Sequence, residues 1–221
     1  MNYFRYYLAI CGMTLLLAWV NKMLFLSDTV YFNSFADQLT YEQIEEFIAQ
    51  GKKWEWLGYV LVPVVYFIKF TLVASVLSIG IWLTTDRLEF KRLLEAASVA
   101  EFVFIVPMLL KIGWFLLVQP QYTLQDLQFF YPLSALSLFD RQALEPWLVY
   151  PLQVLNLFEL VYWVVLAYQI APLLARPQEE AVEETGFFEQ SGRGLGVVLS
   201  SYGTGLVIWV AIVMFITISY T

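Results

Sequence analysis

The chain has 221 residues, 60% of them hydrophobic and only 14% charged, with no histidine and a formal charge of −7. So few charges over so much apolar surface exclude the ordinary water-soluble class. The acidic balance excludes a basic nucleic-acid-binding surface, and the missing imidazole excludes zinc-protease helices and Ser–His pairs.

A bilayer core is about 30 Å thick and a helix rises about 1.5 Å per residue, so about 20 consecutive apolar residues cross it. Five stretches qualify: 8–26, 57–83, 96–118, 148–175 and 195–220. The expected fold is all-α, a polytopic membrane bundle of five transmembrane helices forming one domain over 1–221. Loops 27–56 and 119–147 fall on one side, and loops 84–95 and 176–194 on the other.

The first span follows Arg5 and exits through Trp19-Val20-Asn21-Lys22, which lacks the small-x-small pattern of a cleavage site, so it reads as an uncleaved anchor. Cys11 is the single cysteine and leaves no internal disulfide to form. In the first long loop, Thr40-Tyr41-Glu42-Gln43 has the form of a capping box. Tyr41, Ile44, Phe47 and Ile48 then share one helical face, which predicts a short amphipathic helix ending at Gly51. Lys52-Lys53-Trp54-Glu55-Trp56 leads into the second span at headgroup level.

The second long loop repeats the theme over 123–131 and 134–139, with Leu124, Leu127, Phe130, Leu136 and Phe139 as apolar positions. These short helices are expected to rest on the membrane interface or on each other. Of the two shorter loops, 84–95 is mixed in charge. The other carries Glu179, Glu180, Glu183, Glu184 and Glu189 without EF-hand spacing, which predicts a solvated segment rather than a metal site. Phe187 and Phe188 within it are candidate partner contacts.

Lysine and arginine favour cytoplasmic flanks. Arg5, Arg87, Lys91, Arg92, Arg176 and Arg193 on one side outweigh Lys22, Lys52, Lys53 and Arg141 on the other, which predicts a cytoplasmic N-terminus and an outside C-terminus.

Ionisable groups within a span cost about 2.5–3.5 kcal/mol at a helix centre, so Lys69, Glu101, Lys111 and Glu159 are the candidate functional residues, with Asn156 beside them. Lys69 and Glu159 fall at about the same depth, 16 to 18 Å from one face. Two readings stand open: an interhelical ion pair that fixes packing, or a polar pathway for an ion, proton or small substrate. Lys111 is expected to snorkel or to meet Asn156, and Glu101 to reach Arg92 or the cytoplasmic water. Pro63, Pro107 and Pro151 free backbone carbonyls in their spans. Gly194, Gly196, Ser201, Gly203 and Gly205 give the last span a small-residue face suited to helix packing.

Phe90-Lys91-Arg92-Leu93-Leu94 at a span entry, Leu133-Ser134-Ala135-Leu136, and Leu155-Asn156-Leu157-Phe158-Glu159-Leu160 running on to Leu166 together carry a resemblance. Over 87–221 the chain resembles bacterial members of the YIP (Ypt-interacting protein) family. The resemblance implies a five-span bundle in a bacterial inner membrane, with the N-terminus cytoplasmic. Eukaryotic relatives act with small GTPases in vesicle traffic, but their Asp-Leu-Tyr-Gly-Pro motif is absent here and that activity is not carried over.

The expected function is therefore non-enzymatic, without cofactor or metal: a scaffold or accessory subunit of a larger membrane assembly. Its expected partners are the bilayer and either another membrane protein or a second copy. The alternative is a small permease or transporter subunit using Lys69 and Glu159. A carboxylate-only catalyst would need paired acids at one depth, and the span positions of Glu101 and Glu159 do not match.

Overall fold

The computed structural model describes residues 2–139, 144–174 and 187–220, the side chains of 187–190 excepted. Among the described residues the chain is all-helical, with a single isolated backbone bridge between Ser134 and Asn156 and no strand. The helical runs Tyr3–Phe25, Tyr41–Thr85, Phe90–Leu117, Leu157–Leu174 and Ser191–Tyr220 are each long and apolar enough to cross a bilayer. The chain is an integral membrane protein.

Helix α1 (Tyr3–Phe25) is followed by α2 (Asp28–Phe35) and by α3 (Tyr41–Thr85). The Thr40 capping box forms with both reciprocal bonds, Gln43 N–H to Thr40 Oγ1 and Thr40 N–H to Gln43 Oε1. The expected stop at Gly51 is overturned: α3 runs unbroken for 45 residues. A glycine ends a helix by turning left-handed, and among the described residues no glycine, Gly51 included, has positive φ. Ile44 and Ile48 are buried, and the rings of α2 cover the same face: Phe32 stacks on Tyr41 and Phe35 meets Phe47 edge-on. Those contacts hold the extension helical well beyond the bilayer thickness. The left-handed residue appears at Asp86, which caps α3 with φ 54°.

Helix α4 (Phe90–Ala100) passes through a 3-10 turn (Glu101–Phe104) into α5 (Ile105–Leu117). The third span therefore starts at Phe90 rather than at 96. The second long loop holds α6 (Leu124–Gln128), capped by Thr123 and Asp126, and a 3-10 turn at Ala135–Leu138. The fourth span, expected as one helix over 148–175, is two: α7 (Pro146–Val154) and α8 (Leu157–Leu174). The last comprises α9 (Phe187–Val198), a π-wound segment (Leu199–Gly203) and α10 (Thr204–Tyr220), so helix begins well before 195. Phe187 and Phe188 open α9. The acidic residues Glu179, Glu180, Glu183 and Glu184 lie outside the described residues, as do Arg141 and Arg176.

Helix α8 packs along α9 and α7 along α10, while α4 lies against α1, α3 and α8. Lipid tails are as apolar as leucine, so these helices gain contact energy by approaching closely rather than by leaving water. A Cβ on Gly194 would stand 2.1 Å from the Ala167 carbonyl oxygen, and one on Gly80 would stand 2.9 Å from Ser201 and Val197. Gly203 and Gly205 are looser, with a Cβ 3.3 Å from Trp163 and Val76 side chains. The main core joins Ile10, Phe70, Leu77, Leu93, Tyr162 and Leu166, and a smaller cluster of Phe25, Phe115 and Leu127 closes the end that holds α2 and α6.

Candidate intramembrane polar site

Three of the spans leave regular α-helical winding. Pro107 cannot donate to the Val103 carbonyl and its ring crowds that oxygen, so the chain before it tightens into the 3-10 turn that carries Glu101. Leu155 and Asn156 break the fourth span. Leu133, left-handed at φ 57°, turns its segment against them: Ala135 N–H donates to Leu155 O at 2.8 Å and Leu157 N–H to Leu133 O at 3.1 Å. Asn156 splices the two helices, its Oδ1 accepting from Glu159 N–H at 2.8 Å and its Nδ2 donating to Gln153 O and Val154 O. The π-wound turn of the last span carries Ser201 and Tyr202, with Ser201 Oγ donating back to Val197 O.

The three irregularities meet at one group of side chains. Lys69 Nζ donates to Glu101 Oε1 at 2.6 Å, and it lies 4.7 Å from the Phe104 ring centre and 5.8 Å from that of Tyr162. The rings lend their negative faces to a cation that has only one carboxylate oxygen. Tyr162 is fully buried and tilts against Phe104 at 5.2 Å and Tyr202 at 5.5 Å. Beyond it, Glu159 Oε1 accepts both Trp163 Nε1–H and Tyr202 Oη–H at 2.8 Å. An ion pair and a hydrogen-bonded carboxylate are thus linked through one phenol ring.

Two buried polar atoms in this group have no hydrogen-bond partner among the described residues, Glu101 Oε2 and Tyr162 Oη. Each such atom forfeits about 1–3 kcal/mol relative to a satisfied one. A carboxylate oxygen accepts a proton or coordinates a cation, and a phenol both donates and accepts. The side chains are not symmetric in exposure: that of Glu101 is 3% exposed and that of Lys69 37%.

Several sequence expectations change here. Lys69 pairs with Glu101, not with Glu159. The third span begins at Phe90, so Glu101 follows the eleven residues of α4, about 16 Å of rise, and is deep rather than near a membrane face. Arg92 accordingly meets Glu89 at 3.6 Å instead of Glu101. Lys111 reaches the backbone of α6, donating to Leu127 O at 2.6 Å, while Asn156 is taken up by the helix splice. Aromatic residues in a span read as packing, which hides Tyr162, Tyr202 and Trp163 in the sequence. Their one sequence signal is the i, i+4 spacing of Glu159 and Trp163 on α8.

These features define a polytopic α-helical membrane protein in which three interrupted spans surround a buried ionisable cluster. No family model, curated protein or solved structure matches the chain.

Proposed function

We propose that this is a non-enzymatic membrane protein that binds and passes a proton or small cation at the Lys69–Glu101–Tyr162–Glu159 cluster, as a small permease or a transporter subunit. The observation that carries this reading is the convergence of three helix interruptions on the two carboxylates and Tyr202. Irregular backbone within a bilayer persists where it is enclosed by protein or lines a polar route, and carriers place their ion sites at such broken helices.

The test is reconstitution of the full chain into vesicles loaded with a pH-sensitive dye, under an imposed potassium-valinomycin potential. Wild type is expected to admit protons, and the charge-neutral Lys69→Met/Glu101→Gln double variant to remain folded and silent. Equal flux from the double variant would return the cluster to a purely structural role.

A second reading, a scaffold or accessory subunit of a larger membrane assembly, is favoured by the partial exposure of Lys69 beside the outward-facing Phe67 and Ile68. A cation facing lipid is costly, and a neighbouring protein covering this stretch of α3 would remove that cost. Photo-crosslinking from position 68 in cells reports such a neighbour. The cytoplasmic N-terminus, the outside C-terminus, the bacterial inner membrane and kinship with YIP proteins belong to the same proposal. They rest on the Lys and Arg asymmetry and on the motifs quoted above. Cysteine labelling of intact cells at Gly51 against Arg87, in a Cys11→Ala background, tests the orientation.

A further inference from the structure

At the α2/α6 end of the bundle, away from the ionisable cluster, a groove of about 440 Å³ lies between α1, α2, α3, α5 and α6. Five of its lining residues are polar, and all five carry hydrogen-bond donors: Asn21, Lys22, Tyr31, Lys111 and Gln128. None of the lining residues is acidic. Lys22 is neutralised from outside the groove by Glu55, which also accepts from Tyr59. Lys111 is different. It is half-buried, its ammonium has three donors, and it meets the Leu127 carbonyl without an ion-pair partner among the described residues. The remaining wall is apolar, with Leu26, Phe35 and Phe47 among its members.

Depth selects the occupant. Lys111 lies six residues, about 9 Å, inside the Leu117 end of a membrane-spanning helix, where lipid headgroups meet acyl chains. A polar wall that carries donors and no carboxylate, beside an apolar one and with one uncompensated cation, matches a molecule with an anionic head and an apolar tail. We propose that this groove is a binding site for an anionic phospholipid, its phosphate held by Lys111 and its acyl chain lying on the apolar wall.

The test titrates the purified full chain, in a neutral detergent, with short-chain phosphatidylglycerol and with phosphatidylcholine of equal chain length, following the thermal unfolding midpoint. Phosphatidylglycerol is expected to raise the midpoint saturably and phosphatidylcholine to leave it nearly unchanged. Lys111→Gln should weaken the phosphatidylglycerol response about tenfold, the worth of one charge-assisted hydrogen bond. Ala18→Phe, which fills the groove while keeping both ammonium groups, should weaken it as well, and decides the matter if Lys111→Gln does not fold. Equal responses to the two lipids would overturn the proposal. So would a response to glycerol phosphate as large as that to phosphatidylglycerol, or a titration that either folded variant leaves unchanged.

Discussion

The Tyr202 hydroxyl donates to Glu159 Oε1 over 2.8 Å, tying the π-wound turn of the last span to the first turn of α8. The same oxygen accepts from the Trp163 indole one turn further along α8. A carboxylate with two fixed donors is held in one rotamer, and the π turn is what brings Tyr202 to it.

Tyr202→Phe removes that donor with little change of shape. We expect a loss of about 1.5–3 kcal/mol, the range for a hydrogen bond to a charged group. Glu159→Gln should be milder, because the amide oxygen still accepts from both rings. Reversible unfolding in mixed micelles measures both, and an equal loss from the two would argue against a charged acceptor.

Single neutralisation of the Lys69–Glu101 pair should be far more damaging than removal of both charges. Glu101 is buried, so Lys69→Met leaves an unpaired carboxylate in a nonpolar setting, with an expected loss of about 3–5 kcal/mol. The Lys69→Met/Glu101→Gln double variant should regain most of it. The double-mutant cycle reads the coupling directly, and strictly additive losses would show that the two groups act independently.

Asn156→Leu should loosen the junction between α7 and α8, since one side chain serves the N–H of Glu159 and the carbonyls of Gln153 and Val154. A lost cap costs about 1 kcal/mol. Hydrogen exchange should rise at Glu159. Asn156→Asp keeps the acceptor but not the donor, so it should protect that amide while leaving the α7 carbonyls unserved.

The glycines of the last span should separate sharply. Gly194→Ala drives a Cβ into the Ala167 carbonyl, a backbone atom that cannot swing aside, and overpacking of this kind costs about 1–3 kcal/mol. Gly196 has nothing within 4 Å of its Cβ position, so Gly196→Ala should be neutral or stabilising by up to about 1 kcal/mol through helix propensity. Unfolding midpoints of the two variants side by side test the α8–α9 approach. Equal behaviour would contradict it.

Much of the architecture was legible along the chain because it depends on local chemistry. Length and apolarity define the five spans, as bilayer thickness sets the requirement wherever a segment sits in the fold. The capping box at Thr40 is equally local, four residues closing on themselves. The cost of burying charge likewise marked Lys69, Glu101, Lys111 and Glu159 before any neighbour was known.

Which of these groups meet was decided by the tertiary structure. Lys69 finds Glu101 because α3 packs on α4, and the depth of Glu101 depends on a helix start at Phe90 that hydropathy alone does not mark. Gly51 stays helical because α2 covers its helix, and the fourth span breaks at Asn156 where the Leu133 segment supplies replacement hydrogen bonds. Such outcomes turn on the rotation and register of helices whose apolar faces are nearly equivalent in lipid. Composition therefore specifies that these helices span, while contacts between residues distant in the chain select the one arrangement in which their buried polar atoms meet.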